Sequence, residues 1–409
     1  MFLSEKNPQS NWQSIWNRTL VSLYIFIYFL EGVTRFKHAL TFLMVITALI
    51  YCYQLRAKAL VFFKNNVSIC FFIFIICIIY STLISVDINA SIKAAEKDIL
   101  EKVIVIILSM VIVLHNEKKE DIAQLFIYSL SASIIPMAII DGMQYYNEYK
   151  EGILPFTQFE HRYKSDAFIF MAIGLMGLWS LKRKYTTVIF CILLPIISIM
   201  ILGTLQRGTW LAVLVPGIVW IILRKEWRLT ACVAIIATLP LGYAYLKNDQ
   251  QFSTLFYKMQ QTSSSERYGN GTQGAALDLI LEKPIKGYGY GKDLYLDIYA
   301  KNIEAHPQWY FQQPIGPHNL SLAMWFAGGI LGLVSLWLLL LALVQKSVSQ
   351  YIKNTGATQI GWLTVFLIIL GDFLVRGLFE TINLQHSAIV IGITISMIVP
   401  KGANRKDVY

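Results

Sequence analysis

Long apolar runs alternate with short polar connections over most of the 409 residues. About 20 consecutive apolar residues cross the hydrocarbon core of a bilayer, so such runs are typical of transmembrane helices. The pattern predicts twelve of them, several extending into their polar flanks. Their approximate bounds are 19–34, 39–55, 66–85, 98–114, 122–143, 166–181, 185–203, 209–223, 229–246, 319–345, 358–375 and 379–400. We therefore expect an all-α polytopic membrane protein.

One polar connection, residues 247–318, is far longer than the others. It separates nine predicted helices in residues 1–246 from three helices and a short tail in residues 319–409. We expect these three parts to be the organisational units of the chain.

The long connection itself contains helical patterns. Gln250 to Gln261 predicts an amphipathic helix lying on the bilayer, with an apolar stripe of Phe252, Leu255, Phe256 and Met259. Gln273 to Glu282 predicts a second helix that ends at Pro284. The G-Y-G-Y-G run at 287–291 lacks the preceding strand of a nucleotide-binding loop, so a tight turn is the better interpretation.

Composition supports the membrane assignment, since 56% of the residues are hydrophobic and only 15% are charged. The net charge of +10 would suggest nucleic acid as the partner of a soluble domain. Here the basic residues occupy alternate connections, so topology explains them better and we expect no nucleic acid partner. The positive-inside bias then places both termini in the cytoplasm and the long loop outside it.

The sequence gives no sign of a metal or a disulfide. The five cysteines all fall inside apolar runs, and the long loop has none. Zinc sites need clustered Cys and His ligands, and no such spacing occurs. Asp293 and Asp297 are the nearest approach to a ligand pair, and a solvated helix surface explains them better. We expect neither metal nor cofactor.

Three residues on the outer face are candidates for chemistry. His318, followed by Asn319, stands where the long loop enters a membrane helix, within reach of lipid-borne and aqueous substrates. Arg207 lies in the tight turn between the seventh and eighth helices, and Arg267 lies in the loop. The alternatives are a helix-capping histidine, an arginine reaching to the interface, and a solvated loop charge.

Two further groups of charged residues face the same side. Asp372, Arg376 and Glu380 are spaced four apart, so on a continuous helix they would share one face. Such a strip is either a structural ion-pair network or a cavity wall that positions the arginine. His161, Arg162 and Lys164 precede the sixth helix, where they would contact an anionic head group or remain ordinary loop charges.

These residue types suit transfer from a diphosphate. Arginine stays protonated and binds phosphate oxygens with two parallel hydrogen bonds. A neutral histidine can take a proton from an attacking hydroxyl. Diphosphate leaves readily once its charge is neutralised, so such a site would need no metal.

Several motifs resemble those of the O-antigen ligases. His318-Asn319, nine residues and then Gly329-Ile330-Leu331-Gly332 resemble the H-N-x9-G-x-x-G signature of that family. Arg207 followed by Leu211 resembles its R-x3-L motif, and Arg267, Pro284 and the G-Y-G-Y-G run resemble its loop pattern of an Arg, a helix, a Pro and spaced glycines. The resemblance extends over the whole chain: twelve helices, one long periplasmic loop before the histidine, and cytoplasmic ends.

The resemblance implies a function. Ligases of this family transfer O-antigen polysaccharide from undecaprenyl diphosphate to the lipid A–core oligosaccharide at the periplasmic face of the bacterial inner membrane. The resemblance thus implies a membrane-embedded, metal-independent inverting glycosyltransferase of the GT-C type. By position, His318 would be the base that deprotonates the acceptor hydroxyl, and Arg207 and Arg267 would hold the diphosphate of the donor. Asn319 would support them. The Asp372–Arg376–Glu380 strip would do so as well if, as its spacing allows, it forms a cavity wall.

Other functions remain open. An O-antigen polymerase of the same superfamily uses the same donor with a lipid-linked acceptor, and a protein O-oligosaccharyltransferase is a third possibility. A transporter or flippase would bind the lipid-linked glycan without chemistry. It would also predict pseudo-symmetric halves, and residues 1–200 and 201–400 show no similarity.

Overall fold

A computed structural model describes residues 11–227, 252–260 and 265–399. Throughout this part the chain is helical and contains no strand, as the apolar pattern predicts. Each predicted apolar run in this part falls on a helix. The predicted helix 229–246 and the basic tail beyond residue 399 lie outside the described residues.

The helices of the amino-terminal part occupy residues 11–224. They are α1 (Asn11–Tyr28), α2 (Thr34–Leu55), α3 (Asn66–Leu83), α4 (Ile88–Ala95), α5 (Val105–Val113), α6 (Lys119–Ala132), α7 (Ile134–Lys150), α8 (Ser165–Ser180), α9 (Lys184–Gly203) and α10 (Arg207–Arg224). A π-helical segment, Glu96–Ile104, joins α4 to α5, and 3-10 turns cover Arg56–Phe63 and Glu160–Lys164.

The loop and the carboxyl-terminal part contribute the remaining helices. They are α11 (Ser253–Gln260), α12 (Ser265–Tyr268), α13 (Thr272–Glu282), α14 (Lys292–Asn302), α15 (Leu320–Lys353), α16 (Gly356–Ile368) and α17 (Ser387–Ile398). The helix predicted at 379–400 begins only at Ser387, because the polar residues before it form turns.

Seven helical stretches among the described residues are long and apolar enough to cross a membrane. They are Thr34–Phe63, Asn66–Leu83, Lys119–Lys150, Lys184–Gly203, Arg207–Arg224, Leu320–Lys353 and Gly356–Leu378. The protein is therefore a multi-pass membrane protein that is helical throughout its described part. The total of twelve spans and the side on which the loop lies stay predictions.

The centre of the bundle is formed by α8, α16 and α17, whose side chains are almost all buried. Around them, α15 packs against α3 and α16, α6 packs against α8 and α16, and α5 packs against α17. Asp166 at the start of α8 and Asp372 just after α16 therefore lie next to this centre, where a buried charge needs a partner.

The loop carries its own apolar core. Helices α13 and α14 bury Leu279 and Tyr299 against Trp309 and against Phe326 of α15. The predicted second loop helix is confirmed as α13, and Asp293 and Asp297 lie exposed on α14. The first loop helix is present as α11, and of its predicted apolar stripe Leu255 is buried whereas Met259 is exposed on the protein surface.

Helix α15 is broken at Gly328 and Gly329, and the G-Y-G-Y-G turn fills the break. The Tyr288 amide donates to Phe326 O at 2.8 Å, and the Gly289 amide donates to Ala327 O at 2.9 Å. Gly329 has φ of 60°, and a Cβ there would lie 1.9 Å from Ile285 O. Gly329, the first glycine of the G-x-x-G motif, thus lets the loop backbone insert into the helix.

Gly329→Ala is expected to destabilise the protein by about 2–4 kcal/mol, because alanine disfavours this φ and its Cβ overlaps the loop backbone. Thermal melting of the detergent-solubilised variant and proteolysis of the loop measure the effect. Gly142→Ala is the matched control, since a Cβ at that helical position meets nothing within 4 Å. Equal melting temperatures and equal protease resistance in the two variants would show that Gly329 is not needed for the loop backbone to insert into α15.

Candidate active site

His318 ends the long loop immediately before α15, as the sequence predicts. Its Nδ1 lies 2.7 Å from Oε2 of Glu380, and its side chain is 33% exposed. The residue has φ of 46°, in the left-handed region that a non-glycine residue rarely adopts. A half-exposed imidazole bonded to a carboxylate is an arrangement used for general-base chemistry.

Glu380 reaches His318 because the helix that carries it ends early. After α16 the chain forms a π-helical segment, Ile369–Val375, and then a 3-10 turn, Arg376–Leu378. The amides of Phe379 and Glu380 both donate to Arg376 O, at 2.8 and 2.9 Å. The predicted three-residue strip is therefore divided: Asp372 and Arg376 stay paired, and Glu380 turns to the histidine.

Two amide side chains hold the histidine against this turn. Gln273 Nε2 donates to His318 O at 3.2 Å and to Leu378 O at 2.8 Å. Asn319 Nδ2 donates to Leu378 O at 3.3 Å, and its Oδ1 accepts from the Leu322 amide at 3.0 Å. Asn319 thus caps α15 and also binds the turn. Sequence reasoning missed Gln273, whose only signal was a polar residue at the start of an otherwise apolar helix.

Arg267 binds the same turn from α12. Its Nη1 donates to Phe379 O at 2.6 Å, one residue from Glu380. The sequence did not predict this contact, because residues 267 and 379 are brought together by the tertiary fold alone. The guanidinium of Arg267 therefore stands beside the His318–Glu380 pair.

The Glu380 carboxyl is favoured in its ionised form. Burial alone would raise its pKa, but hydrogen bonds from His318 and Gln206 and the charge of Arg267 outweigh burial, so the pKa lies below its ordinary value. An ionised Glu380 accepts the Nδ1 hydrogen of His318 and leaves Nε2 as the proton acceptor.

Arg207 is the first residue of α10 and is half-buried. Its neighbour Gln206 binds Glu380, and Gln206 Oε1 accepts from Ser165 Oγ at 2.7 Å. The backbone before Arg207 is thereby tied to the His318 site.

Lys258 of α11 adds a positive charge near Arg207. Burial lowers the pKa of Lys258, and the charges of Arg207 and Arg162 lower it further. Several cations thus share this face of the protein. Sequence reasoning passed over Lys258, which stood in the predicted amphipathic helix.

Asp372 and Arg376 lie deeper, in a buried charge cluster. Arg376 contacts Asp166 of α8, and its Nη1 lies 3.3 Å from Asp372 Oδ1. His386 Nδ1 lies 3.5 Å from Asp166 Oδ2. This arrangement fits the ion-pair interpretation of the strip, and it anchors the turn that presents Glu380. Sequence reasoning missed Asp166 and His386.

One group of side chains in the described part of the chain has the spacing of metal ligands. Ligand atoms of Asp166, Asp372 and His386 lie within 4.8 Å of one another. The guanidinium of Arg376 already contacts both carboxylates, so it supplies the cation that neutralises them.

His161 and Lys164 lie in a second buried cluster. His161 Nδ1 lies 2.8 Å from Asp141 Oδ1, and its Nε2 lies 3.2 Å from Glu148 Oε2. Lys164 Nζ donates to Asp141 at 2.9 Å and to Gln144 at 2.6 Å. Both basic residues are thus engaged by α7.

Within this cluster the histidine is favoured as a cation. Burial opposes protonation of His161, but its bonds to the two carboxylates outweigh burial and raise its pKa. Arg162, which lies between the two basic residues in sequence, is exposed. It is the member of the predicted head-group set that remains accessible to a ligand.

The fold therefore brings His318, Asn319, Arg267 and Glu380 into one site, which Gln206 connects to the start of α10. A multi-pass membrane protein with an imidazole–carboxylate pair and guanidinium groups at the helix ends is suited to group transfer on a lipid-borne anionic substrate.

Comparison with known proteins identifies the family. The family described as O-antigen ligase matches residues 189–338, which include Arg207, Arg267 and His318. An O-antigen ligase of Salmonella typhimurium (strain LT2) is 38% identical over 397 residues, which cover 95% of this chain and 97% of the Salmonella protein. The chain belongs to the O-antigen ligase family. It is thus a membrane-bound transferase of lipopolysaccharide biosynthesis.

Proposed function

We propose that this protein transfers O-antigen from undecaprenyl diphosphate to the lipid A–core oligosaccharide, at the periplasmic face of the bacterial inner membrane. Both termini lie in the cytoplasm, and the reaction inverts the anomeric centre and uses no metal. The observation that carries the proposal is the 2.7 Å contact between His318 Nδ1 and Glu380 Oε2, on a turn that also binds Arg267.

In this reaction His318 Nε2 takes the proton of an acceptor hydroxyl on the core oligosaccharide. The resulting oxygen attacks the anomeric carbon of the first O-antigen sugar while the bond from that carbon to the diphosphate breaks. Attack opposite the leaving group inverts the configuration. The proton rests on His318 as an imidazolium, which the Glu380 carboxylate stabilises.

The undecaprenyl diphosphate carries away the bonding electron pair, so its negative charge grows as the bond breaks. Arg207 and Arg267 bind its oxygens and neutralise that charge, in the role that a metal has elsewhere. The nearby positive charges of Lys258 and Arg162 support this role for the face around Arg207.

Arg207→Lys is expected to lower kcat/KM for the lipid-linked donor by about tenfold or more, because an ammonium group cannot replace a bidentate guanidinium. Donor titration in detergent measures the change. Arg56→Lys is the matched control, an exposed arginine in another part of the chain. Unchanged donor kinetics in Arg207→Lys would show that Arg207 does not bind the diphosphate.

Expression in a ligase-deficient bacterium that still makes O-antigen and core tests the function. We expect a ladder of smooth lipopolysaccharide. Longer chains on the undecaprenyl carrier without smooth lipopolysaccharide would establish the polymerase instead. Export of the carrier-linked glycan without joining would establish a transporter. Glycosylated membrane protein would establish the oligosaccharyltransferase.

A further inference from the structure

A second polar site lies at the opposite end of the bundle. Helix α8 begins beside the Asp166–Arg376 contact and ends at Ser180, so Ser180 lies at the far end from His318. There the ends of α8 and α10 meet the starts of α9 and α16 around an open cavity of about 240 Å³. This cavity, which we call the arginine cavity, is lined by Ser180, Arg183, Arg224, Gly356, Ala357 and Gln359, together with apolar neighbours.

Both charged residues that line the arginine cavity are cations. Arg183 is exposed, and the partners of its guanidinium in the described part of the chain are neutral: Tyr185 Oη at 2.8 Å, Tyr128 Oη at 3.2 Å and Gln124 Oε1 at 3.4 Å. Arg224 is half-buried, and Nη2 makes a long contact of 3.4 Å with Ser180 O. The Nε of Arg224 is buried and contacts no acceptor in the described part of the chain. A buried donor of this kind is satisfied by an anion entering the cavity.

The acidic residue that follows Arg224 in sequence is engaged by another cation. Glu226 forms an ion pair with Lys182 and does not line the cavity. Helix α16 starts at the cavity with Gly356 and Ala357, and its first turn has no acidic residue and no side-chain cap. The amides of that turn add partial positive charge to that of the two arginines.

The size and position of the cavity select the ligand. At about 240 Å³ it is smaller than the pockets of drug-sized ligands but accommodates a compact anionic group. Val188 and Ile222, within two turns of the arginines along their helices, are exposed apolar side chains. Basic pockets between transmembrane helices bind phospholipid head groups in this way, with the acyl chains along the apolar surface.

We propose that the arginine cavity binds the phosphate of an anionic phospholipid head group, on the face opposite the ligation site. Arg183 and Arg224 hold the phosphate oxygens, and the exposed apolar surface of α9 and α10 accepts the acyl chains.

The test is native mass spectrometry of delipidated full-length protein titrated with phosphatidylglycerol, cardiolipin or phosphatidylethanolamine. We expect the anionic lipids to bind wild type, and the Arg183→Gln/Arg224→Gln variant to bind them at least about tenfold more weakly. Lys184→Gln is the matched control, because it removes the same charge from a neighbour that does not line the cavity. It should bind the lipids like wild type.

A second variant tests the site independently in case the double substitution misfolds. Ala357→Glu places a carboxylate at the cavity and at a helix start, where a negative charge is favourable, so it should fold and lose the lipid. Inorganic phosphate in a parallel titration distinguishes the sources: competition at millimolar phosphate would reveal a free-phosphate site and overturn the lipid assignment. Equal lipid binding by wild type and a folded Ala357→Glu protein would overturn the site itself.

Discussion

Replacing His318 by alanine is expected to lower ligation by about 10²–10⁴-fold, the range contributed by a general base. The imidazole is the group that accepts the proton from the attacking hydroxyl. Glu380 cannot replace it, because Glu380 contacts Nδ1 and not the Nε2 side of the ring where the hydroxyl would bind. Membrane insertion and the melting temperature should change little, because the side chain lies partly exposed at the end of a helix. Single-turnover assays with purified protein measure the loss.

The positive φ of His318 calls for a second variant. His318→Asn also removes the base, and asparagine tolerates the left-handed conformation better than alanine does. Both variants should therefore lose activity to a similar extent, with His318→Asn folded like wild type. Turnover within threefold of wild type in a folded His318→Asn protein would remove His318 from the role of base.

Glu380→Gln is expected to lower kcat by about 10²-fold or more, because a neutral amide stabilises the imidazolium less than a carboxylate does. The pKa of Glu380 lies below its ordinary value, so wild type keeps the carboxylate ionised at neutral pH. Single-turnover ligation at saturating donor measures the loss.

A charge-conserving variant separates an electrostatic role from a structural one. Glu380→Asp keeps the charge, so we expect it to recover part of the activity that Glu380→Gln loses. Equal losses of activity in Glu380→Asp and Glu380→Gln, each with a lowered melting temperature, would indicate that Glu380 only supports the turn. KM for the donor should remain close to wild type in both variants, because Glu380 does not bind the diphosphate.

The apolar pattern predicted the helical class and the approximate position of each described membrane helix, because a bilayer allows few other structures. Helix ends were less predictable. The helix predicted from 379 begins at Ser387, because Glu380 and its neighbours form the turn that reaches His318. Polar side chains at a functional site override the helical pattern there.

The candidate residues were predictable individually, but their contacts were not. His318 stood at a loop–helix junction, and Arg267 is bonded to the turn at Phe379, more than a hundred residues away. Spacing suggested that Asp372, Arg376 and Glu380 share one face, whereas the π-helical segment and the following turn separate Glu380 from the pair. Gln273 and Asp166 were identified as parts of the site and of the buried cluster only by their contacts in the structure.

The buried clusters show the same limit. The sequence pattern makes His161 and Lys164 candidates for head-group contacts, whereas both are bonded to acidic or amide side chains of α7. The acidic partner Asp141 lies within a predicted transmembrane run, and nothing in its spacing indicates this pairing. Only the packing of α7 against the turn before α8 brings these residues together.

The most direct test of the central claim is ligation by purified protein in the presence of a metal chelator, with undecaprenyl-diphosphate-linked O-antigen and rough lipopolysaccharide as substrates. We predict a ladder of joined product with wild type, at the same rate with and without chelator, and none with His318→Asn. A wild-type preparation that binds the donor yet forms no joined product, or a His318→Asn protein that still forms the ladder, would contradict the account.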